Sequence, residues 1–370
     1  MRGVAVLGST GSIGVSALNV LRRHPDRFRV VALTGGQNAD LLGAQAAEFR
    51  PAFTGLAGGA GGDWPCGPEC LVRAATHPDV DIVLNAVVGF AGLDATLAAL
   101  GAGKRVALAN KESLVTGGDL VLRAAREGGG ELVPVDSEHS AVLQCLAAGR
   151  GALARLVLTA SGGPFRDWTA ERVARATVAE ALNHPTWRMG AKITVDSATL
   201  ANKALEVIEA HHLFGLGYDQ LEVTVHPQSI IHAFVEFADG SVLAQLGFPS
   251  MELPILYALT HPERLADAGV RRFDPVAIGS LGFEPVRAAD FPAFPLGVAA
   301  GRAGGTAPAV FNASNEVAVA AFLAGRMAFG RIPGVIAGVL EKHRPEAADS
   351  VDAVRAADAW ARRCAEELIG

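Results

Sequence analysis

Surplus basic charge, long apolar runs, cysteine and internal repeats are all missing or scarce in this chain, and each absence removes a class of function. The net charge is −6, which leaves no electrostatic footprint for nucleic acid or an anionic membrane surface. Half the residues are hydrophobic, yet no apolar run approaches the roughly 20 residues of a membrane-spanning helix. Cysteine is limited to Cys66, Cys70, Cys145 and Cys364. Cys66 and Cys70 enclose Gly-Pro-Glu, a spacing open to half a zinc site, a redox pair or a loop with two incidental thiols. The last is preferred, because a zinc site needs more ligands nearby and cytosolic disulfides are rare. The strand-like run Val4–Leu7 leaves no room for a signal peptide, so a cytoplasmic location is expected.

What is present is Ala, Gly and Val in α/β order. A length of 370 residues is too great for one ordinary core, so two or three domains are expected. Val4–Leu7 reads as a strand, Gly8 to Gly14 as a turn, Val15–Arg23 as a helix and Phe28–Thr34 as a second strand. Strands at Asp81–Val88 and Arg105–Ala109 alternate with helices at Gly92–Gly101 and Gly118–Arg126. That alternation predicts a Rossmann-like, doubly wound parallel sheet over residues 1–125. From Leu132 strands crowd together (Leu153–Ala160, Leu221–Val225, Ala233–Phe237, Ser241–Leu246), with a type I′ hairpin turn expected at Asp239-Gly240. This predicts an α+β catalytic domain with a mobile lid over 126–262. An irregular linker over 263–292 then leads to a helical bundle over 293–370, with helices at Ala309–Gly325, Ile332–Lys342 and Val351–Leu368. The glycine-rich stretch Gly55–Gly62 reads as a surface insertion remote from chemistry.

Several polar clusters carry chemistry. Glycines 8, 11 and 14 follow the first strand; they suit either a pyrophosphate at a helix N-terminus or simply a tight strand–helix turn. Gly36-Gln37-Asn38 ends the second strand with neither the acid that favours NAD nor the base that accommodates a 2′-phosphate, and the missing acid mildly favours NADP. Asn110-Lys111-Glu112 follows a strand, where open α/β sheets bind ligands, or forms a solvated loop. Asp136 and Glu138, two apart, fall on one side of an extended backbone. Such a pair holds a hard cation, with Glu206 able to close the site, unless it is only a surface turn. His139 reads as structural. Ser161-Gly162-Gly163 looks like an anion-binding turn. His184, Trp187 and Met189 suit a lid that excludes water. His226 to His232 reads as a packing turn, and His211-His212 as helix surface. In Val195 to Glu206, Asn202 and Glu206 are four apart and share a helical face with Lys203 beside them.

These motifs run in a recognisable order: Leu7 to Gly14, Ala109 to Leu114, Val135 to His139, Ser161 to Phe165, His184 to Gly190, Val195 to Glu206, and Asn312-Ala313-Ser314-Asn315-Glu316. Together they resemble the 1-deoxy-D-xylulose 5-phosphate reductoisomerase family of non-mevalonate isoprenoid synthesis. The resemblance implies a homodimeric enzyme that uses NADPH and one divalent cation per subunit, Mg²⁺ or Mn²⁺. It places the cation on Asp136, Glu138 and Glu206. It places the substrate phosphate on Ser161, Ser197, Asn202 and Lys203, with His184 on the lid. Lys111, Ser137 and Glu138 fall at the reacting end, with Lys111, Glu138 and His184 as catalytic residues. NADPH falls on Thr10, Gly11, Ser12, Ile13, Gly36, Gln37, Asn38, Asn110, Glu112 and Gly190. The chemistry implied is cleavage of the substrate's C3–C4 bond, rejoining to an aldehyde and hydride reduction. The chain departs from the family at Gln37, where relatives often carry a base, and at Ala191, where a charge is common. Two rivals remain in view: a homoserine- or semialdehyde-type dehydrogenase sharing only the first domain, and a nucleotide-sensing scaffold. Neither needs all these polar clusters.

Overall fold

The computed structural model describes residues 1–59, 64–147 and 152–370. They form two compact units. One contains Met1–Ser113, Val121–Ala147 and Ser250–Arg272; the other contains Leu114–Leu120, Ala148–Pro249 and Phe273–Gly370. Among the described residues no helix is long and apolar enough to cross a membrane.

The first unit is built on a six-stranded parallel sheet. Its strands are β1 (Arg2–Leu7), β2 (Phe28–Gly35), β3 (Phe53–Leu56), β4 (Ile82–Asn85), β5 (Arg105–Leu108) and β6 (Glu131–Pro134), in the order β3-β2-β1-β4-β5-β6. Val4 to Leu7 are fully buried, as expected of a parallel strand covered on both faces, where apolar residues run without alternation. Strand order reverses between β1 and β4, the switch point at which such sheets open a crevice. The sixth strand extends this unit past the boundary drawn at residue 125. A helix over Glu252–Thr260 also belongs here; Ile255, Leu256, Ala258 and Leu259 are buried in the first unit's core. Pro254 obscures that helix in the sequence, although in the first turn its missing N–H costs nothing.

The second unit holds a mixed sheet of β7 (Leu153–Ala160), β8 (Leu221–Val225), β9 (Ile231–Phe237), β10 (Val242–Leu246) and β11 (Glu284–Pro285), in the order β10-β9-β7-β8-β11. The expected linker thus contributes an edge strand, β11. The hairpin turn differs from expectation. Gly240 N–H donates to Phe237 O at 2.9 Å, and Gly240, not Asp239, has positive φ. The loop is therefore a type I turn closed by a left-handed glycine. C-terminal helices span Ala293–Ala303, Ala307–Leu323, Ile332–Lys342 and Val351–Ile369, one more than the sequence suggests. Their apolar faces share one core with the helices Ala191–Thr199 and Ala201–Phe214, so they form no separate unit. His212 is not on a free helix surface: it lies against Gly118, and burial pushes its pKa down to about 4.

Candidate active site

In the first unit, the loops that carry the polar motifs leave the sheet at the carboxyl ends of β1, β2, β4, β5 and β6. After β1, Gly8 has φ of +79°, and a side chain there would come 2.6 Å from Ala86 O. Gly14 would meet Gly8 O at 2.3 Å. Both glycines are thus required by the fold. A methyl on Gly11 finds nothing of the protein nearer than 3.4 Å, so its lack of a side chain leaves room for something else. Gly11 and Ser12 are exposed and Thr10 and Ile13 half-buried at the start of the helix Ser12–Arg23, whose first N–H groups have no intrahelical partner. Buried Ser9 and Gln45 lock this loop: Ser9 Oγ donates to Gln45 Oε1 at 2.7 Å, and Gln45 Nε2 returns a bond to Ser9 O at 2.9 Å.

Gly36, Gln37 and Asn38 are exposed beyond β2. Asn38 caps the next helix by accepting from Leu41 N–H. The stretch expected to be remote runs beside them: Ala57 N–H donates to Gly35 O and Gly58 N–H to Gly36 O. The parallel register of β2 and β3 brings it there. Residues 60–62 of that stretch lie outside the described residues. Cys70 is buried, and burial pushes its thiol up to about 11, an environment that makes a thiol inert.

Asn110, after β5, is buried and fully engaged. Its Oδ1 accepts from Ser113 N–H, and its Nδ2 donates to Val87 O at 2.8 Å, Gly89 O at 2.9 Å and Glu112 Oε2 at 2.9 Å. The asparagine therefore fastens the loop after β4 to the start of the helix Lys111–Gly128. Asn85, at the end of β4, extends this network to Thr96 Oγ1 at 2.8 Å. Lys111 forms an ion pair with Asp136, 25 residues on, because β5 and β6 are neighbours. Asp136 is not in extended chain beside Glu138, as its spacing suggests. It caps the helix Ser137–Leu146 by accepting from Glu138 N–H at 3.2 Å, the role for which Asp is well suited. Glu138 accepts from Ser137 Oγ at 2.5 Å. His139 is fully buried with Nδ1 3.6 Å from Asp136 Oδ1.

In the second unit, Ser161 follows β7, and Gly162 and Gly163 both have positive φ. The side chain of His184 defines its own tautomer. Nδ1 accepts from Thr186 N–H at 3.1 Å and Trp187 N–H at 2.9 Å, so Nε2 carries the proton and donates to Ser161 Oγ at 3.0 Å. Burial pushes its pKa down to about 4, which keeps the ring neutral. Trp187 stands 6.4 Å from His232 between ring centroids. Gly190 caps the helix Ala191–Thr199, accepting from Thr194. His226 binds Gly282 O through Nδ1 and Ile230 N–H through Nε2, a packing turn.

The helix Ala191–Thr199 meets the helix Ala201–Phe214 at Leu200, whose φ is +60°. Beyond that turn Asn202 Nδ2 donates to Glu206 Oε1 at 2.5 Å and Lys203 forms an ion pair with Glu206; the shared helical face is present. A left-handed non-glycine residue costs about 1–3 kcal/mol, more than one neutral hydrogen bond of ~1 kcal/mol returns. A hydrogen bond to an ionised group is stronger, and Asp196, four residues before Leu200, accepts one from Asn315. This carboxylate is 1 % exposed, 2.9 Å from Lys192 Nζ and 2.8 Å from Asn315 Nδ2.

Sequence reasoning missed Asn85, Gln45, Lys192 and the Asp196–Asn315 bond. Asn85 had a readable signal, a polar residue ending an apolar strand. The Asp196–Asn315 bond had none, being 119 residues apart.

Three sequence models match the chain: 1-deoxy-D-xylulose 5-phosphate reductoisomerase over residues 4–60 and 58–118, its C-terminal domain over 132–214, and the DXP reductoisomerase C-terminal domain over 246–364. A 1-deoxy-D-xylulose 5-phosphate reductoisomerase from Ralstonia nicotianae is 52 % identical over 100 % of this chain and 98 % of its own length. One from Symbiobacterium thermophilum is 51 % identical over 99 % and 98 %. A crystal structure of DOX-P reductoisomerase with NADPH, fosmidomycin and magnesium superposes with a TM-score of 0.94 at 41 % identity, covering 100 % of this chain and 98 % of that one. The enzyme from Zymomonas mobilis with NADPH gives 0.90 at 41 %, covering 100 % and 99 %. Similarity over the full length leaves no place for a dehydrogenase sharing only the first unit, and the chain belongs to the 1-deoxy-D-xylulose 5-phosphate reductoisomerase family.

Proposed function

We infer that this chain carries out the family's reaction, with the roles of its residues as follows. The enzyme converts 1-deoxy-D-xylulose 5-phosphate to 2-C-methyl-D-erythritol 4-phosphate, with NADPH as reductant. One observation carries the division of labour: each unit holds a lysine ammonium against an acidic group of the proposed metal set, Lys111 on Asp136 and Lys203 on Glu206.

NADPH binds through Thr10–Ile13, Gly36–Asn38, Asn110, Glu112 and Gly190. When bound, NADPH supplies the hydride that reduces the rearranged aldehyde. Asp136, Glu138 and Glu206 would hold one divalent cation, Mg²⁺ or Mn²⁺. All-oxygen carboxylate donors suit such hard ions, and Asp136 and Glu206 each already carry a cationic partner. When bound, the ion supplies Lewis-acid polarisation of the ketone and an adjacent hydroxyl.

The remaining work belongs to side chains. Ser161, Ser197, Asn202 and Lys203 bind the substrate phosphate. His184, neutral and donating through Nε2, sets the orientation of Ser161 Oγ, while Trp187 and Met189 cover the site and exclude water. Lys111 and Ser137 face the reacting carbons, where Lys111 neutralises the enediolate charge that develops as C3–C4 breaks. Glu138 moves the proton. Phosphate binding far from the reacting carbons drives lid closure. The enzyme is a cytoplasmic homodimer in this reading; Val242, Leu243 and Leu246 are exposed on the edge strand β10, a surface suited to a second copy.

The test is NADPH oxidation on addition of 1-deoxy-D-xylulose 5-phosphate, with and without Mg²⁺ or Mn²⁺. Metal-dependent oxidation is expected; oxidation indifferent to chelation of the metal refutes the reading.

A further inference from the structure

The Asn312-Ala313-Ser314-Asn315-Glu316 segment has no role in the reaction just described, yet Asn312, Ser314 and Asn315 are completely buried. Its side chains point two ways. Asn312 Nδ2 donates to Glu316 Oε1 at 2.9 Å, and Glu316 pairs with Arg362 at 2.6 Å, which ties the helix Ala307–Leu323 to the helix Val351–Ile369. Asn315 instead reaches Asp196, which also carries Lys192. Asp196 sits one residue before Ser197 and four before the left-handed Leu200. Its backbone carbonyl accepts from Thr199 Oγ1 at 3.2 Å, and Thr199 Oγ1 accepts from Ala201 N–H at 3.2 Å. Asp196 is thus bonded to the turn through its backbone carbonyl and to Lys192 and Asn315 through its carboxylate. The same turn presses on the other phosphate-binding loop, since a side chain on Gly163 would come 2.6 Å from Ser197 O.

We propose that Lys192, Asp196 and Asn315 form a buried tether by which the C-terminal helices hold the Ser197-to-Lys203 turn in the geometry that grips the substrate's phosphate, with Asn315 as a positioning residue. This rests on the phosphate-binding reading above. A lysine four residues before an aspartate is common helix decoration and needs no third partner. Here the third partner comes from a distant helix and the carboxylate is shut off from water. Removing Asn315 leaves a buried charge with one partner fewer, and the turn relaxes around it.

Steady-state kinetics of the full-length enzyme with saturating metal test the tether. Asn315→Leu is expected to raise KM for 1-deoxy-D-xylulose 5-phosphate at least fivefold, with kcat and KM for NADPH changed less than twofold. Lys192→Met, on the outer end of the tether, keeps the aliphatic stem and is expected to shift the same parameter in the same direction. It covers the case in which Asn315→Leu fails to fold. Ser197→Ala separates the two ideas: if it leaves substrate KM unchanged, the phosphate reading fails. If Ser197→Ala raises KM and neither tether variant does, whatever their thermal midpoints, the tether is overturned. In the double variant Asn315→Leu/Ser197→Ala the KM effects should be less than multiplicative, because one residue acts through the other; full multiplication also overturns it.

Discussion

The two lysine–carboxylate pairs differ in what brings them together. Lys203 and Glu206 are three apart on one helix, 5 % and 2 % exposed, and the helical repeat alone makes them neighbours. Lys111 and Asp136 come from loops after two different strands, and only the pairing of β5 with β6 makes them meet. The first pair is rigid by local geometry, which suits a group that anchors one end of a substrate. The second sits beyond the carboxyl ends of two neighbouring parallel strands, the place where open α/β sheets bind ligands.

The comparison is sharpest in the metal set. Glu206→Gln should lower kcat by roughly 10²–10³, as expected when several kcal/mol of metal-assisted stabilisation is lost, while the NADPH dissociation constant by fluorescence titration stays nearly unchanged. Weakened nucleotide binding counts against the assignment. Next come the lysines themselves. Lys111→Met should act mainly on kcat, by about 10²-fold as for loss of one transition-state donor, and Lys203→Met mainly on substrate KM. If both variants move the same parameter, the two pairs do not divide the labour as inferred.

Smaller effects probe the supporting loops. Gly11→Ala should weaken NADPH binding about tenfold, roughly the 1.4 kcal/mol of one displaced contact, without moving the thermal midpoint, since nothing within the protein opposes the methyl. A fall in stability instead would make Gly11 a folding residue like Gly14. His184 gives the mildest test. Its folded pKa lies near 4 against an ordinary value of 6.5, so the unfolded state takes up the proton first. Its contribution to stability is complete above pH 6.5 and is lost as pH falls towards 4. Urea midpoints measured at pH 7.5 and 5 should therefore converge in His184→Gln relative to the parent. The convergence is partial, because His212 is depressed in the same direction. An unchanged gap means the ring is not buried in solution.

Legibility in the sequence followed the range of the interaction. The doubly wound sheet rests on short unbroken apolar runs, the glycine turn on residues adjacent to the first strand, and the Asn202–Lys203–Glu206 face on the 3.6-residue helical repeat; each is a local pattern, and each is present. The membership of the helix Glu252–Thr260 and of strand β6 is not legible in the sequence, because it depends on which core buries them. Asp136 differs for a local reason: its place after a strand suggests extended chain, but its side chain caps the next helix. The Gly55–Gly62 stretch reads as remote in the sequence, whereas the pairing of β2 with β3 brings Gly58 beside Gly36. No pattern in the chain joined Asp196 to Asn315.

By itself the sequence determined the α/β alternation, the order of the polar motifs and the family to which they belong, because these are written in neighbouring residues. The tertiary structure alone decided that Lys111 meets Asp136, that His184 is a neutral donor to Ser161, and that Asn315 braces Asp196. Each depends on which chain segments are packed side by side, and on the burial that gives a charge or a proton its preferred place.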